Sequence, residues 1–468
     1  MRTISLLAAL VLTSPLAGPA AAQTRPGEAA FRATYKELVE TNTTLSAGSC
    51  TLAAERMAAR LRAAGYPAAD LHVFADPEHP KEGGLVAILP GSDPNAKAIL
   101  LLAHIDVVEA KAADWTRDPF RLIEENGVFY ARGASDDKAM AAIYVDTLIR
   151  LRAEARPRRT VKLALTCGEE TNNAFNGAEY LAQHERPLID AAFALNEGGG
   201  GRLRPDGKPQ LLAMQVSEKT SQNYTLTVTN PGGHSSMPRP DNAINSLAAA
   251  LTRIAAYTFP VQVDAVTRAF FTRMGAVTPG AAGAAMTQIA AHPDDAAAAA
   301  ALSRDPTLNS TLRTTCVATL LDAGHAENAL PQRATANINC RIFPGDTIEG
   351  TRDRLVAVIA DPAVTVAFKP RRGPPSSAAV LDPAVLGPAE TLAAAMFPGV
   401  PVVPTMSTGA TDSIFLAAAG IPSFGVPGLL HEADGGGVHG LNEHIRVDVL
   451  LDGRDYLHRL IRLYADAP

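Results

Sequence analysis

Five stretches of the chain carry side chains able to hold a cation or move a proton. In LLLAHIDVV, His104 and Asp106 stand two apart at the end of an apolar run. Residues two apart in a strand share a face, so one can bind a metal while the other holds a neighbour in place. In YARGASDDKA, Asp136 follows Gly133-Ala134-Ser135 where a helical pattern opens, so its carboxylate can project from a loop into a cleft. LALTCGEET ends a buried strand on two adjacent carboxylates, Glu169 and Glu170. These repel each other and resist desolvation, so a cation or a proton must compensate them, and a metal is the simplest answer. Glu197 ends another strand-like run, AAFALNEGGG, and His439 lies in the glycine-rich GGGVHGLNEH. The set His104, Asp136, Glu170, Glu197 and His439 offers two imidazoles and three carboxylates, which suits Zn²⁺, Co²⁺ or Mn²⁺ better than Ca²⁺. Five ligands exceed one open zinc site and suit two ions sharing a bridge.

Such side chains need a scaffold. From residue 38 to 211 the pattern alternates: a helical period over 50–65 that stops at Gly65, an apolar strand over 98–108, a helix over 138–153, a strand over 160–166 and a helix over 174–185. Continuous apolar strands between helices predict an α/β layer architecture, with the site beyond the strand C-terminal ends. Near Thr220 the texture changes. Residues 224–230 alternate as a half-exposed strand, and Asp241 is placed to cap a helix whose stripe is Ile244, Leu247, Leu251 and Ile254. An alanine-rich segment with the run 296–301, two strands and a helix over 348–359 complete an α+β module, and the α/β texture resumes near Leu381. The expectation is a helix-covered mixed sheet in two parts, 23–219 and 373–468, interrupted by an inserted α+β lid or dimerisation domain over 220–372.

Composition narrows the partners. With 42 Lys+Arg against 48 Asp+Glu, a net charge of −6, the chain has no basic excess to coat a phosphate backbone, which argues against nucleic acid. At 47% apolar and 19% charged residues it can bury large cores, so disorder and fibrous classes are excluded. The first 22 residues read as a secretory signal peptide: Arg2, an apolar stretch from Ile4 to Leu12, and Ala20-Ala21-Ala22 before Gln23. No later stretch reaches the length of a membrane span, and the alanine-rich, lysine-poor composition suits a bacterial periplasm. Four cysteines are too few for a disulfide scaffold. Cys316 and Cys340, in two strand-like runs equidistant from Asn328, are placed for a cross-strand bridge; Cys50 and Cys167 read as small buried apolar residues.

The ordered motifs AHIDVV, WTRDPF, GVFYARGASDDKA, CGEE, NEGGG, GGHSSMP, ENALPQRATANINCRIFPGDT, STGATDS and VHGLNE resemble the M20 family of metallopeptidases. That family includes carboxypeptidase G2-like enzymes, aminoacylases and carnosinase-like dipeptidases. The resemblance implies that His104 and Glu197 bind one metal ion, that Glu170 and His439 bind the other, and that Asp136 bridges them. It implies that Asp106 orients His104, and that Glu169 is the general base acting on a water between the metals. His234 in GGHSSMP resembles the family's oxyanion donor, contributed across a homodimer. Asn328 and Arg341 resemble lid residues that hold the substrate, Arg341 clamping a carboxylate or making a structural ion pair. Thr408, Gly409 and Thr411 either line the substrate pocket or form a tight turn. The chain departs from the family pattern at Gly168 and Ala139 and has Glu rather than Asp at 197; Glu443 and His431 are possible competitors for metal.

The activity this implies is an exported exopeptidase cutting an amide bond next to a free carboxylate in short peptides. An N-acyl-amino-acid amidohydrolase is the first alternative and a non-catalytic metal- or peptide-binding relative the second. No G-x-S-x-G elbow supports a serine hydrolase around His234-Ser235-Ser236, and the tract 198–201 lacks the acidic partner of a dinucleotide loop.

Overall fold

The runs Ile99–His104 and Val161–Thr166 are neighbouring parallel strands, buried at every position, as expected of strands covered on both faces. The computed structural model describes residues 25–171, 175–371, 373–376, 380–432 and 434–468; the expected leader over 1–22 lies outside them. The two strands sit within an eight-stranded mixed sheet. Its order is Leu71–Asp76, His79–Leu89, Val161–Thr166, Ile99–His104, Phe193–Leu203, Ser423–His431, Pro209–Glu218 and Val402–Ser407. Phe193–Leu203 runs parallel to both Ile99–His104 and Ser423–His431, so the C-terminal ends of the central strands share one edge. That edge carries His104, the Glu169–Glu170 turn and the start of the Glu197 segment.

Strand alternation divides the core in two. Ile99, Leu101 and Ala103 pack with helices Glu28–Glu40, Cys50–Ala63, Lys138–Ala153 and Val447–Asp466. Leu100 and Leu102 face the other way, toward Leu181 and Leu416 of helices Gly177–His184 and Ser413–Ala418. The apolar strand expected over 98–108 stops at His104, because the chain turns there and the imidazole Nδ1 comes within 3.1 Å of the Asp106 carbonyl. Asp106 is therefore placed by a turn rather than by strand alternation.

The lid is an antiparallel four-stranded sheet ordered Thr315–Ala323, Arg333–Ile342, Thr220–Thr229 and Thr365–Phe368, with helices Ala243–Ala256 and Ile348–Ile359 against it. Thr220–Thr229 alternates buried and half-buried residues, as a one-faced sheet requires. The first helix is capped by Asn242 rather than Asp241, since Asp241 pairs with Arg239. Its buried stripe is Ala243, Leu247, Ala250 and Ile254, leaving Ile244 exposed. Four further helices between 265 and 312 enclose a small core of their own, and Arg273 ties them to the outermost strand of the large sheet by donating to the Val402 carbonyl.

Cys316 and Cys340 are register partners and form a disulfide. Cys50 and Cys167 do not stand apart as buried thiols: they form a second disulfide, which tertiary packing brings together across 117 residues of sequence. Among the described residues no helix is long and apolar enough to cross a membrane.

Candidate metal centre

Two imidazoles converge on one carboxylate. His104 Nε2 lies 3.0 Å from Asp136 Oδ1 and 3.9 Å from Glu197 Oε2. His439 Nε2 lies 3.2 Å from Asp136 Oδ2 and 3.0 Å from Glu170 Oε1. Asp136 thus turns one oxygen toward each imidazole, with a glutamate completing each side. His104, Asp136 and Glu170 form one compact donor group, and His104, Glu169 and Glu197 form another.

The segments that present Asp136, Glu169 and Glu170 are held by groups that take no part in the donor set. The carboxylate of Glu443, 1% exposed, accepts the backbone N–H groups of Gly133, Ser135 and Asp136 and the Arg132 guanidinium at 2.7 Å. Those bonds fix the loop that presents Asp136, so Glu443 does not compete for the cation site. His431 belongs to neither donor group, and His444 faces Glu432 and Asp434 in a separate exposed cluster. The Asp106 carboxylate accepts the N–H groups of Glu169 (3.4 Å) and Glu170 (3.0 Å), and its oxygen nearest His104 Nδ1 is at 3.6 Å.

Gly168 turns the chain into that segment at φ +93°, and a Cβ there would sit 1.8 Å from the Phe175 carbonyl, so only glycine fits. Asn176 Nδ2 bonds the Gly168 carbonyl and Asp412 Oδ1, while Asp412 Oδ2 accepts the Thr166 hydroxyl. His439 itself has φ 60°, a left-handed conformation costing a non-glycine residue on the order of 1–3 kcal/mol, which the surrounding loop maintains.

The electrostatics require positive charge. Burial raises the Glu169, Glu170 and Glu197 carboxyls above the ordinary range, and neighbouring carboxylates add to it. Burial opposes charge on His104, but Glu197, Asp106 and Asp136 hold its imidazolium well above the usual value. Asp136, then burial's opposition outweighed by Glu170, pushes His439 up to about 9. Among the described residues no lysine or arginine pairs with Asp136, Glu169, Glu170 or Glu197. Lys138, buried close by, donates to the Thr41 carbonyl, and Arg132 is occupied by Glu443. The donor set therefore fits two divalent cations, which supply the charge that protons otherwise must.

The remaining expected residues fall into two places. Thr411 gives its backbone N–H and hydroxyl to Glu218 Oε2, both at 3.0 Å, and Gly409 donates to Ser407 Oγ; with Thr408 they form a bonded turn leading to Asp412. His234 and Asn328 meet in the lid, where Gly233–His234 pairs with Ala329–Leu330 and the Ser235 N–H donates to the Asn328 carbonyl. Both side chains are exposed, and neither touches the metal cluster. Arg341 lies on the lid strand Arg333–Ile342 with no hydrogen-bond or ion-pair partner among the described residues, and burial lowers its pKa. Three supporting residues escaped the sequence reading, Asn176, Glu218 and Asp412, while Glu443, read there as a competitor for metal, is instead a support of the Asp136 loop. Only Glu443, inside the GLNEH motif, carried a local signal.

A model of peptidase family M20/M25/M40 matches residues 100–463. The N-fatty-acyl-amino acid synthase/hydrolase of Homo sapiens is 31% identical over 389 residues, 80% of this chain and 75% of that protein. Among solved structures, the M20 family metallo-carboxypeptidase Sso-CP2 from Sulfolobus solfataricus superposes with a TM-score of 0.68 at 19% identity, covering 93% of this chain and 99% of that one. The YXEP protein of Bacillus subtilis, described as a dinuclear metal binding peptidase of the M20 family, gives 0.57 at 14% identity, covering 93% and 98%. The chain belongs to peptidase family M20/M25/M40, metal-dependent hydrolases of amide bonds, and has its fold of a catalytic α/β domain with a lid.

Proposed function

We propose that the protein hydrolyses an amide bond next to a free carboxylate, using two divalent cations, most readily zinc, with cobalt or manganese as alternatives. The observation that carries this reading is Asp136 presenting one oxygen to His104 and the other to His439. His104 and Glu197 would hold one ion and Glu170 and His439 the other, with Asp136 serving both. When bound, the ions supply Lewis-acid polarisation of the scissile carbonyl and acidify a water. Glu169, held by its backbone N–H on Asp106 and facing the same cluster without an ion pair, takes the water's proton and returns it to the leaving amine. Its raised pKa suits a group that must accept a proton and then give it up.

The lid supplies the rest. Arg341, near Lys219 and Arg313 and without a partner among the described residues, is suited to clamp the substrate carboxylate, with Asn328, Thr408, Gly409 and Thr411 lining the pocket. His234 donates to the oxyanion across a homodimer. The edge strand Thr315–Ala323 supports such self-association, because Val317, Leu320 and Leu321 are 58, 65 and 67% exposed on an unpaired sheet edge. Two disulfides and no free cysteine among the described residues support export to an oxidising compartment such as the periplasm.

Within this reaction class we place N-acyl amino acids first, because the human relative is an N-fatty-acyl-amino acid synthase/hydrolase, and C-terminal residues of short peptides second. Purified enzyme assayed on N-acyl amino acids, C-terminally free peptides and the matching carboxyl-amidated compounds tests both. Turnover of the amidated compounds as readily as the free acids overturns the carboxylate requirement, and no turnover of any overturns the hydrolase assignment.

A further inference from the structure

Apart from the cation donors, one covalent feature touches the chemistry. Cys167 directly precedes Gly168-Glu169-Glu170, and its disulfide partner Cys50 is the first residue of helix Cys50–Ala63. That helix is anchored independently: Ser49 caps it by accepting the Leu52 N–H, and Ala53, Ala54, Met57, Ala58 and Leu61 are buried in the main core. The turn it grips is far less secure. Beyond the disulfide, hydrogen bonds from Glu169 and Glu170 to Asp106, from Asn176 to the Gly168 carbonyl, and from Gly177 to the Cys167 carbonyl hold it. Carboxylates crowd Glu169 from Glu197, Asp412 and Glu170, offset in part by the His104 imidazole. A cavity of about 200 Å³ adjoins the turn, with Cys50, Cys167, Gly168 and Asp106 in its lining. A turn outside regular secondary structure, carrying two adjacent carboxylates beside a cavity, needs a fixed point.

We infer that the Cys50–Cys167 disulfide is a positioning pair that holds the general base Glu169 and the ligand Glu170 at the metal centre. The inference rests on the site assignment proposed above. Neither sulfur touches substrate or cation; the bond acts through the backbone, carrying the rigidity of a buried helix into the turn. The disulfide in the lid has no such part, since Cys316 and Cys340 join two strands already paired in register.

The test compares Cys50→Ser/Cys167→Ser with Cys316→Ser/Cys340→Ser by stepwise zinc titration of the metal-free proteins, metal analysis after dialysis, and steady-state kinetics. Removing the positioning pair is expected to weaken the ion held by Glu170 and His439 by about 10- to 100-fold. The His104–Glu197 ion stays, and kcat at saturating metal falls far more than KM changes. The lid variant is expected to keep both affinities within about twofold, a margin set by ordinary tolerance to a remote change.

If the double serine variant does not fold, the same measurement is made on folded protein. In the Cys316→Ser/Cys340→Ser background, a water-soluble phosphine reduces the one remaining disulfide. Phosphorus takes up an oxygen from water to become the phosphine oxide, and both sulfurs become thiols. Loss of one metal equivalent on reduction, regained after reoxidation, is the expected result. A folded, disulfide-free protein that binds two ions as tightly as the parent with the parent's kcat overturns the inference. A parent that binds no pair of ions overturns the site assignment instead, so the two failures are distinguishable.

Discussion

The metal cluster and the lid cluster are built in opposite ways. At the cluster, the presenting segments have neighbours that hold them: Glu443 grips the Asp136 loop through four hydrogen bonds, and Asp106 and Asn176 hold the Glu169–Glu170 turn. In the lid, His234 and Asn328 are exposed and Arg341 has no hydrogen-bond or ion-pair partner among the described residues. One region is braced by the chain alone and lacks only positive charge; under the function proposed above, the other would be completed by what binds it. Cation ligands must be within a few tenths of an ångström of their places before the ion arrives, whereas a substrate clamp gains by moving, since closure excludes water as the reaction begins.

The sharpest test of the prebuilt half is Glu169→Gln. It is expected to keep two bound ions and lose about 10²- to 10⁴-fold in kcat, the usual contribution of a general base. Metal analysis and kinetics on the same sample decide it, and loss of an ion would reassign Glu169 as a ligand alongside His104 and Glu197. In the unfinished half, His234→Ala is expected to lower kcat by about 10²- to 10³-fold with unchanged metal content, the effect of losing one oxyanion donor. Mixing inactive Glu169→Gln and His234→Ala subunits separates the two regions further. Partial recovery of activity is expected, and none after verified subunit exchange would place both residues within one subunit's site.

Smaller effects probe the supports. Glu443→Gln keeps the shape of the side chain but cannot accept every donor it now serves, and a loss of about 10- to 100-fold in metal affinity is expected by titration, with little change in KM at saturating metal. The pH dependence has a defined sign. His439 is raised to about 9 in the ion-free protein, so its proton is bound in the folded state below that value, where free histidine has released it. That contribution to ion-free stability is fully present below about 6.5 and is lost as pH rises through about 9. Zinc must displace the same proton, so calorimetry near pH 7.5 in buffers of different ionisation enthalpy should show net proton release. Zero release would mean that the imidazole is already neutral.

Much of the metal cluster was legible because its residue types are improbable where they stand. Adjacent glutamates after a buried strand, and a histidine at the end of an apolar run, contradict burial rules unless a cation resolves them. The lid residues carried no such contradiction, since an exposed histidine or a strand arginine is unremarkable by itself. Three supports were invisible for a different reason. Asn176, Glu218 and Asp412 act through partners distant in sequence, and nothing local marks a polar residue as one that will be buried and bonded. The Cys50–Cys167 pair was misread on the same ground.

The amino-acid order by itself determined the alternation of apolar runs and amphipathic helices, hence a covered sheet, and it determined which side chains have the affinity for cations. Those are properties of short windows, set by periodicity and by the cost of burying charge. Only the tertiary structure decided that Asp136 would face two imidazoles at once and which carboxylate would stand beside each. It also decided that a helix near the start of the described chain would be bonded to the turn carrying Glu169 and Glu170. Such distances depend on how whole layers pack, and packing is settled by the sum of many contacts rather than by any residue's own preference.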